Sequence, residues 1–85
     1  MIQIYLFHTP PCQPCKVQKT IIEELLQENP DIKFKYKNAW EEKQLTRKFN
    51  VRSSPVTIIL KDGEIIGDFR SLTPKEELQE ALTEN

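Results

Sequence analysis

Cysteine is scarce in this chain: the 85 residues hold only Cys12 and Cys15, too few for the disulfide framework with which a small secreted domain replaces missing core. Histidine is scarcer still, His8 being the only one. A structural zinc site needs about four ligands, and two cysteines with one histidine fall short, which disfavours a metal site within one chain. No stretch approaches the roughly 18 to 20 apolar residues of a membrane helix, and strand-like sequence begins at Ile2, leaving no room for a secretory leader. The expected setting is therefore the cytoplasm, with no membrane contact. An excess of one charge is also missing. Twelve Lys and Arg against thirteen Asp and Glu give a formal charge of −1, so no nucleic acid or anionic lipid is attracted by bulk charge, and any partner is chosen locally.

What is present describes a small soluble domain. The chain is 38 % apolar and 29 % charged, ordinary for a globular protein, and its length allows a single domain over residues 1–85. Residues 2–8, Ile-Gln-Ile-Tyr-Leu-Phe-His, are rich in β-branched and aromatic side chains and end at Thr9-Pro10-Pro11, which predicts a first strand. Val17, Ile21, Ile22, Leu25 and Leu26 then recur at helical spacing until Asn29-Pro30, so a first helix starts at the cysteine motif itself. Ile32, Phe34 and Tyr36 alternate with Lys33, Lys35 and Lys37, the pattern of an edge strand guarded by lysines.

Residues 41–49 suit a short second helix with Leu45 and Phe49 on one side. Val56 to Leu60 form a continuous apolar strand, and Asp62-Gly63 supplies a tight hairpin turn into a strand carrying Ile65, Ile66 and Phe69. Thr73-Pro74-Lys75-Glu76 reads as a capping box with proline at the first helical position, opening a last helix with Leu78, Ala81 and Leu82. The order is β-α-β-α-β-β-α, an α/β fold whose first βαβ unit should be parallel and right-handed.

The cysteine pair asks for a chemical explanation. A thiolate is the reactive form, and a free thiol with a pKa of about 8.5 is mostly protonated at neutral pH. Cys12 falls where the first helix begins, and the unpaired N–H groups and positive dipole end there stabilise a sulfur anion. Cys15 lies one turn further in, within reach of Cys12 for a disulfide that opens and closes easily. Pro14 is tolerated in the first turn, where its missing N–H costs no helical bond, and it stiffens the ring. Lys16 adds positive charge nearby or is simply a solvated helix residue. Against two idle thiols stands the placement of the motif, after a strand and a proline-rich turn and at the head of an amphipathic helix. That placement favours a dithiol exchanging with disulfides, with Cys12 attacking and Cys15 resolving.

With Cys12-Gln13-Pro14-Cys15-Lys16, and with Phe49-Asn50-Val51-Arg52-Ser53-Ser54-Pro55-Val56-Thr57 some forty residues later, the chain resembles the thioredoxin and glutaredoxin superfamily over essentially its whole length. The resemblance implies a thioredoxin-like fold with a mixed four-stranded sheet in the order 2-1-3-4, the first and last helices on one face and the second on the other. It implies a cis Pro55 facing the cysteines, and a Ser54 backbone that pairs with an extended substrate segment. It also implies a thiol–disulfide oxidoreductase that reduces protein disulfides. Such a protein needs no cofactor beyond the Cys12–Cys15 disulfide, draws electrons from a thioredoxin reductase or from glutathione, and works as a monomer. A glutathione-linked, glutaredoxin-like reductase and a dimer sharing a metal or iron–sulfur cluster through four cysteines are the alternatives.

Several positions depart from the family pattern. Pro11 stands where a tryptophan usually precedes the first cysteine, and Gln13 replaces a glycine, so these residues should set the substrate range. Leu6 aligns with a buried aspartate, leaving water or His8 to carry the proton of the resolving thiol. His8 is either that acceptor or a packed ring ending the first strand, and the packed ring is the expectation. Trp40 is either a replacement aromatic platform or a core residue, and core packing is the expectation. Arg70, aligned with a groove glycine, is a docking point for an acidic partner or a solvated cation. Residues 67–72 do not reproduce the glutathione-holding element of glutaredoxins.

Overall fold

The computed structural model describes residues 1–84. Seven elements follow in order: β1 Ile2–His8, α1 Gln13–Glu28, β2 Lys33–Asn38, α2 Lys43–Lys48, β3 Val56–Lys61, β4 Glu64–Phe69 and α3 Lys75–Thr83. One four-stranded sheet has the order β2-β1-β3-β4. β1 pairs with β2 in parallel and with β3 antiparallel, and β3 pairs antiparallel with β4, so the expected mixed sheet is present.

Alternation along the strands sorts the core into two layers. Ile4 and Leu6 of β1 and Ile59 of β3 point to the face covered by Ile22 and Leu25 of α1 and by Leu78 and Ala81 of α3. Phe7, Val56 and Ile58 point to the other face and pack with Phe49, Leu45 and Val51 around α2. β1 is buried from both sides, as a central strand must be. Its C-terminal end, where the chain leaves the sheet at His8, is the point from which the cysteine turn departs.

Three local devices fix the loops. Asp62 and Gly63 have φ of 51° and 88°, both positive as a two-residue I′ hairpin requires. α2 ends in a Schellman arrangement: Val51 N–H donates to Thr46 C=O (2.8 Å) and Asn50 N–H to Arg47 C=O (3.2 Å), with Asn50 at φ 54° as the left-handed residue. Arg70 then reaches across from the end of β4. Its Nη1 donates to Asn50 O (2.8 Å), its Nη2 to Phe49 O (2.9 Å), and Nε and Nη2 form a fork on the Asp68 carboxylate (2.6 and 2.9 Å).

Two expectations are corrected here. Arg70 is not a free docking point for an acidic partner: it stays exposed to solvent, but four of its donor contacts go to Asp68 and to the carbonyls of Phe49 and Asn50 just after α2. The capping box before α3 does not form either. Pro74 occupies the N-cap and no side chain caps the helix, because the Thr73 hydroxyl turns back to Ser71 O (2.8 Å). Both backbone groups of Thr73 are instead held by the Gln18 amide: Thr73 N–H donates to Gln18 Oε1 (2.7 Å) and Gln18 Nε2 to Thr73 O (3.0 Å). Gln18 is fully buried, and this pair ties α1, just past the cysteines, to the start of α3.

Candidate active site

The turn Thr9–Pro11 carries the chain from the end of β1 to Cys12, which is the N-cap of α1. Prolines shape this approach, and both Pro10–Pro11 and Ser54–Pro55 are cis peptides; the first was not anticipated from the sequence. Cys12 has extended backbone angles, and its Sγ accepts a hydrogen bond from Cys15 N–H at 3.2 Å. An N-cap side chain ordinarily supplies an oxygen for that donor; here sulfur takes the position. Pro14, the second helical residue, sits where its lack of an N–H leaves no bond unmade.

Cys12 and Cys15 are joined as a disulfide, with Cα atoms 5.3 Å apart. The two sulfurs have unequal surroundings. Cys15, on the inward face of α1, is completely buried, whereas Cys12 is half-buried. Pro11, Gln13, Pro14 and Lys16 are exposed around Cys12. A sulfur anion on Cys12 would lie at the positive end of a 16-residue helix, an arrangement that lowers a thiol pKa.

The loop before β3 closes the other side. Pro55 is buried and Ser54 half-buried. The Ser54 hydroxyl donates to Cys12 Sγ at 3.7 Å, and Thr9 Oγ1 lies 2.7 Å from Ser54 Oγ. From the sequence, Ser54 is expected here for its backbone only, and Thr9 is not expected at all. Nothing local in the sequence marks Thr9, which meets Ser54 from 45 positions away. Gln18 was also missed, though it had a signal: it continues the inward stripe of Cys15, Ile22 and Leu25 at helical spacing.

His8 stacks on Tyr36 with centroids 4.0 Å apart, and Lys19 Nζ lies 5.0 Å from the Tyr36 centroid on β2. The packed ring is thus the observed role. Burial holds the His8 pKa below its ordinary value; Lys19 pushes it the same way and Glu41 opposes. Trp40 overturns the expectation of core packing, because it is 63 % exposed. The Asn38 side chain accepts from its backbone N–H (2.9 Å), and this turn after β2 holds the indole outside both core layers. It stands instead with Thr9, Ala39, Arg52 and Ser53 around a groove of about 280 Å³, which adjoins the Ser54–Pro55 loop. Among the described residues no cluster of three or more His, Cys, Asp or Glu is placed to hold a metal ion, and no helix is long and apolar enough to cross a membrane.

Comparison with known proteins agrees with this geometry. The thioredoxin family model matches residues 2–84. The chain is 36 % identical over 80 residues to thioredoxin from Bacillus subtilis, covering 93 % of this chain and 77 % of that one. It is 33 % identical over 82 residues to thioredoxin from Methanocaldococcus jannaschii, covering 95 % and 92 %. Among solved structures, malaria parasite thioredoxin-2 superposes with a TM-score of 0.90 at 22 % identity, covering 100 % of this chain and 84 % of that one. Oxidised mitochondrial thioredoxin 3 from Saccharomyces cerevisiae gives 0.85 at 23 % identity, with coverage of 99 % and 78 %. These structural likenesses establish the fold, and the closer sequence relatives together with the Cys12–Cys15 disulfide establish the activity. The chain therefore belongs to the thioredoxin family and is a thiol–disulfide oxidoreductase whose redox pair is Cys12 and Cys15.

Proposed function

We propose that the protein reduces disulfides in other proteins with Cys12 as the attacking thiolate and Cys15 as the resolving thiol. The inequality of the two sulfurs carries this reading: Cys12 is half-buried and receives an amide N–H at the helix start, while Cys15, in the first turn of α1, is fully buried. The Cys12 thiolate attacks one sulfur of the substrate disulfide and expels the other as a thiolate, leaving a mixed disulfide. Cys15 gives up its proton to solvent or to the departing thiolate and attacks Cys12 Sγ. That step releases the second substrate thiol and forms the Cys12–Cys15 disulfide, so two electrons pass from protein to substrate. Leu6, fully buried in the α1–α3 layer, supplies no carboxylate for the Cys15 proton.

The family implies disulfide-bearing protein substrates and a reductase as partner. On our reading the substrate presents an extended segment to the Ser54 backbone beside Pro55, with Pro11, Gln13, Pro14 and Lys16 on the rim and Trp40 on the flank. A thioredoxin reductase or glutathione returns the electrons, the working form is a monomer in the cytoplasm, and no cofactor is needed beyond the cysteine pair. Reduction of a disulfide-bonded protein with dithiothreitol as terminal reductant tests this directly. Wild type should accelerate the reaction, and Cys12→Ser and Cys15→Ser should each abolish the acceleration. Full activity in Cys12→Ser would remove the proposed nucleophile. Replacing dithiothreitol by a thioredoxin reductase with NADPH, or by glutathione, identifies the electron source, and zinc or iron co-purifying stoichiometrically with a dimer would instead support the cluster-sharing alternative.

A further inference from the structure

Two hydroxyls stand in series against Cys12. Ser54 has one hydroxyl hydrogen, and the geometry directs it at Cys12 Sγ, 3.7 Å away. Either hydroxyl can donate in the 2.7 Å contact between Ser54 Oγ and Thr9 Oγ1, and whenever the Ser54 hydrogen goes to the Cys12 sulfur that contact is filled by the Thr9 hydrogen. In that arrangement the donors run in one direction, from Thr9 to Ser54 to Cys12. Together with the Cys15 amide at 3.2 Å, they give the Cys12 sulfur two donors from different segments of the chain.

A disulfide sulfur is a weak acceptor, and a 3.7 Å contact to it contributes little. A thiolate in the same place makes the bond charge-assisted, shorter and about twice as strong as a neutral one, and the Thr9 bond behind it polarises the Ser54 hydroxyl further. The contact thus gains strength only when the protein is reduced and Cys12 is ionised. Charged and titratable side chains on the neighbouring segments lack this directness. The His8 ring is stacked on Tyr36, Arg52 Nε donates to Asn50 Oδ1, and Lys16 is exposed.

We propose that Thr9 and Ser54 form a two-hydroxyl relay that donates to the Cys12 thiolate and thereby selectively stabilises the reduced protein, making the Cys12–Cys15 couple more oxidising. Ser54 is the catalytic donor, because it touches the reacting sulfur. Thr9 is a positioning residue that commits the Ser54 hydrogen to sulfur. This assignment rests on Cys12 being the attacking thiol. Stabilising a reduced dithiol is a general way to raise its potential.

The test equilibrates wild type, Ser54→Ala, Ser54→Thr and Thr9→Val with a glutathione redox buffer and reads the oxidised fraction by the mass shift on alkylation. In parallel, the pH midpoint of Cys12 alkylation is measured in a Cys15→Ser background. Loss of the donor in Ser54→Ala is expected to shift the equilibrium constant toward the disulfide by roughly 3- to 10-fold and to raise the alkylation midpoint correspondingly. Thr9→Val should move both the same way by less, and Ser54→Thr should restore both. Unchanged equilibria and midpoints in Ser54→Ala and Thr9→Val, with Cys12 still the faster thiol, would overturn the relay alone. Cys15 reacting ahead of Cys12 in the wild-type dithiol would overturn the assignment of roles beneath it.

Discussion

Gln18 and Thr73 close a two-bond ring in the core: the Gln18 amide accepts from Thr73 N–H at 2.7 Å and donates to Thr73 O at 3.0 Å. Gln18 stands three residues after Cys15 and is fully buried, so the ring joins the helix that carries the cysteines to the chain entering α3. A long polar side chain is tolerated there because it satisfies both backbone groups of Thr73, which precedes the N-cap of α3 and so has no helical partner.

Replacing Gln18 therefore does more than remove a side chain. Gln18→Ala strands a buried N–H and a buried carbonyl, at an expected cost of about 3 kcal/mol. Gln18→Leu should be comparably destabilised despite its greater hydrophobicity, because the same two groups stay unpaired. Denaturant titration checks both, and a Gln18→Leu protein as stable as wild type would contradict this role.

Arg70 joins β4 to the end of α2 through Phe49 O and Asn50 O, directly upstream of the loop that brings Ser54 and Pro55 to the cysteines. Arg70→Lys keeps the charge but not the planar fork. It is expected to lose about 1 kcal/mol, modest because the site is solvent-exposed, and to speed hydrogen exchange at the Asn50 and Val51 amides. Exchange as slow as in wild type would show that the guanidinium does not hold this loop.

His8 gives the fold a pH dependence of defined sign. Burial holds its pKa below the ordinary value, whereas the unfolded chain takes up that proton near pH 6.5 or so. Between the two values the unfolded state binds more protons, so the His8 contribution is complete above about pH 6.5 and declines as the pH falls. His8→Phe keeps a ring for Tyr36 and should flatten the stability slope in this window. Denaturation midpoints measured between about pH 5 and 7.5 make the comparison, and an unchanged slope would assign the dependence elsewhere.

Much of this molecule was legible in its sequence because the relevant physics is local. Lys33, Lys35 and Lys37 alternating with apolar residues described β2, Asp62-Gly63 described the hairpin, and the cysteines after a proline turn described the head of α1. What escaped depends on residues meeting in space. Thr9 and Ser54 carry no pattern that announces their contact. Arg70 looked free because its backbone acceptors lie some twenty residues back, at a helix end whose Schellman geometry depends on Asn50 adopting a positive φ. Trp40 was expected inside on hydrophobicity alone, and the turn after β2 turns it out. Thr73 looked like a cap until Gln18, itself readable as part of the inward stripe of α1, claimed its backbone.

The most direct test is covalent trapping. Reduced Cys15→Ser and reduced Cys12→Ser are each incubated with a disulfide-bonded protein and resolved without reductant. An asymmetric pair predicts a stable mixed disulfide through Cys12 in the Cys15→Ser protein, released by dithiothreitol, and none in Cys12→Ser, whose remaining sulfur is buried. Equal trapping by both variants, or trapping by Cys12→Ser alone, would contradict the assignment of Cys12 as the attacking thiolate.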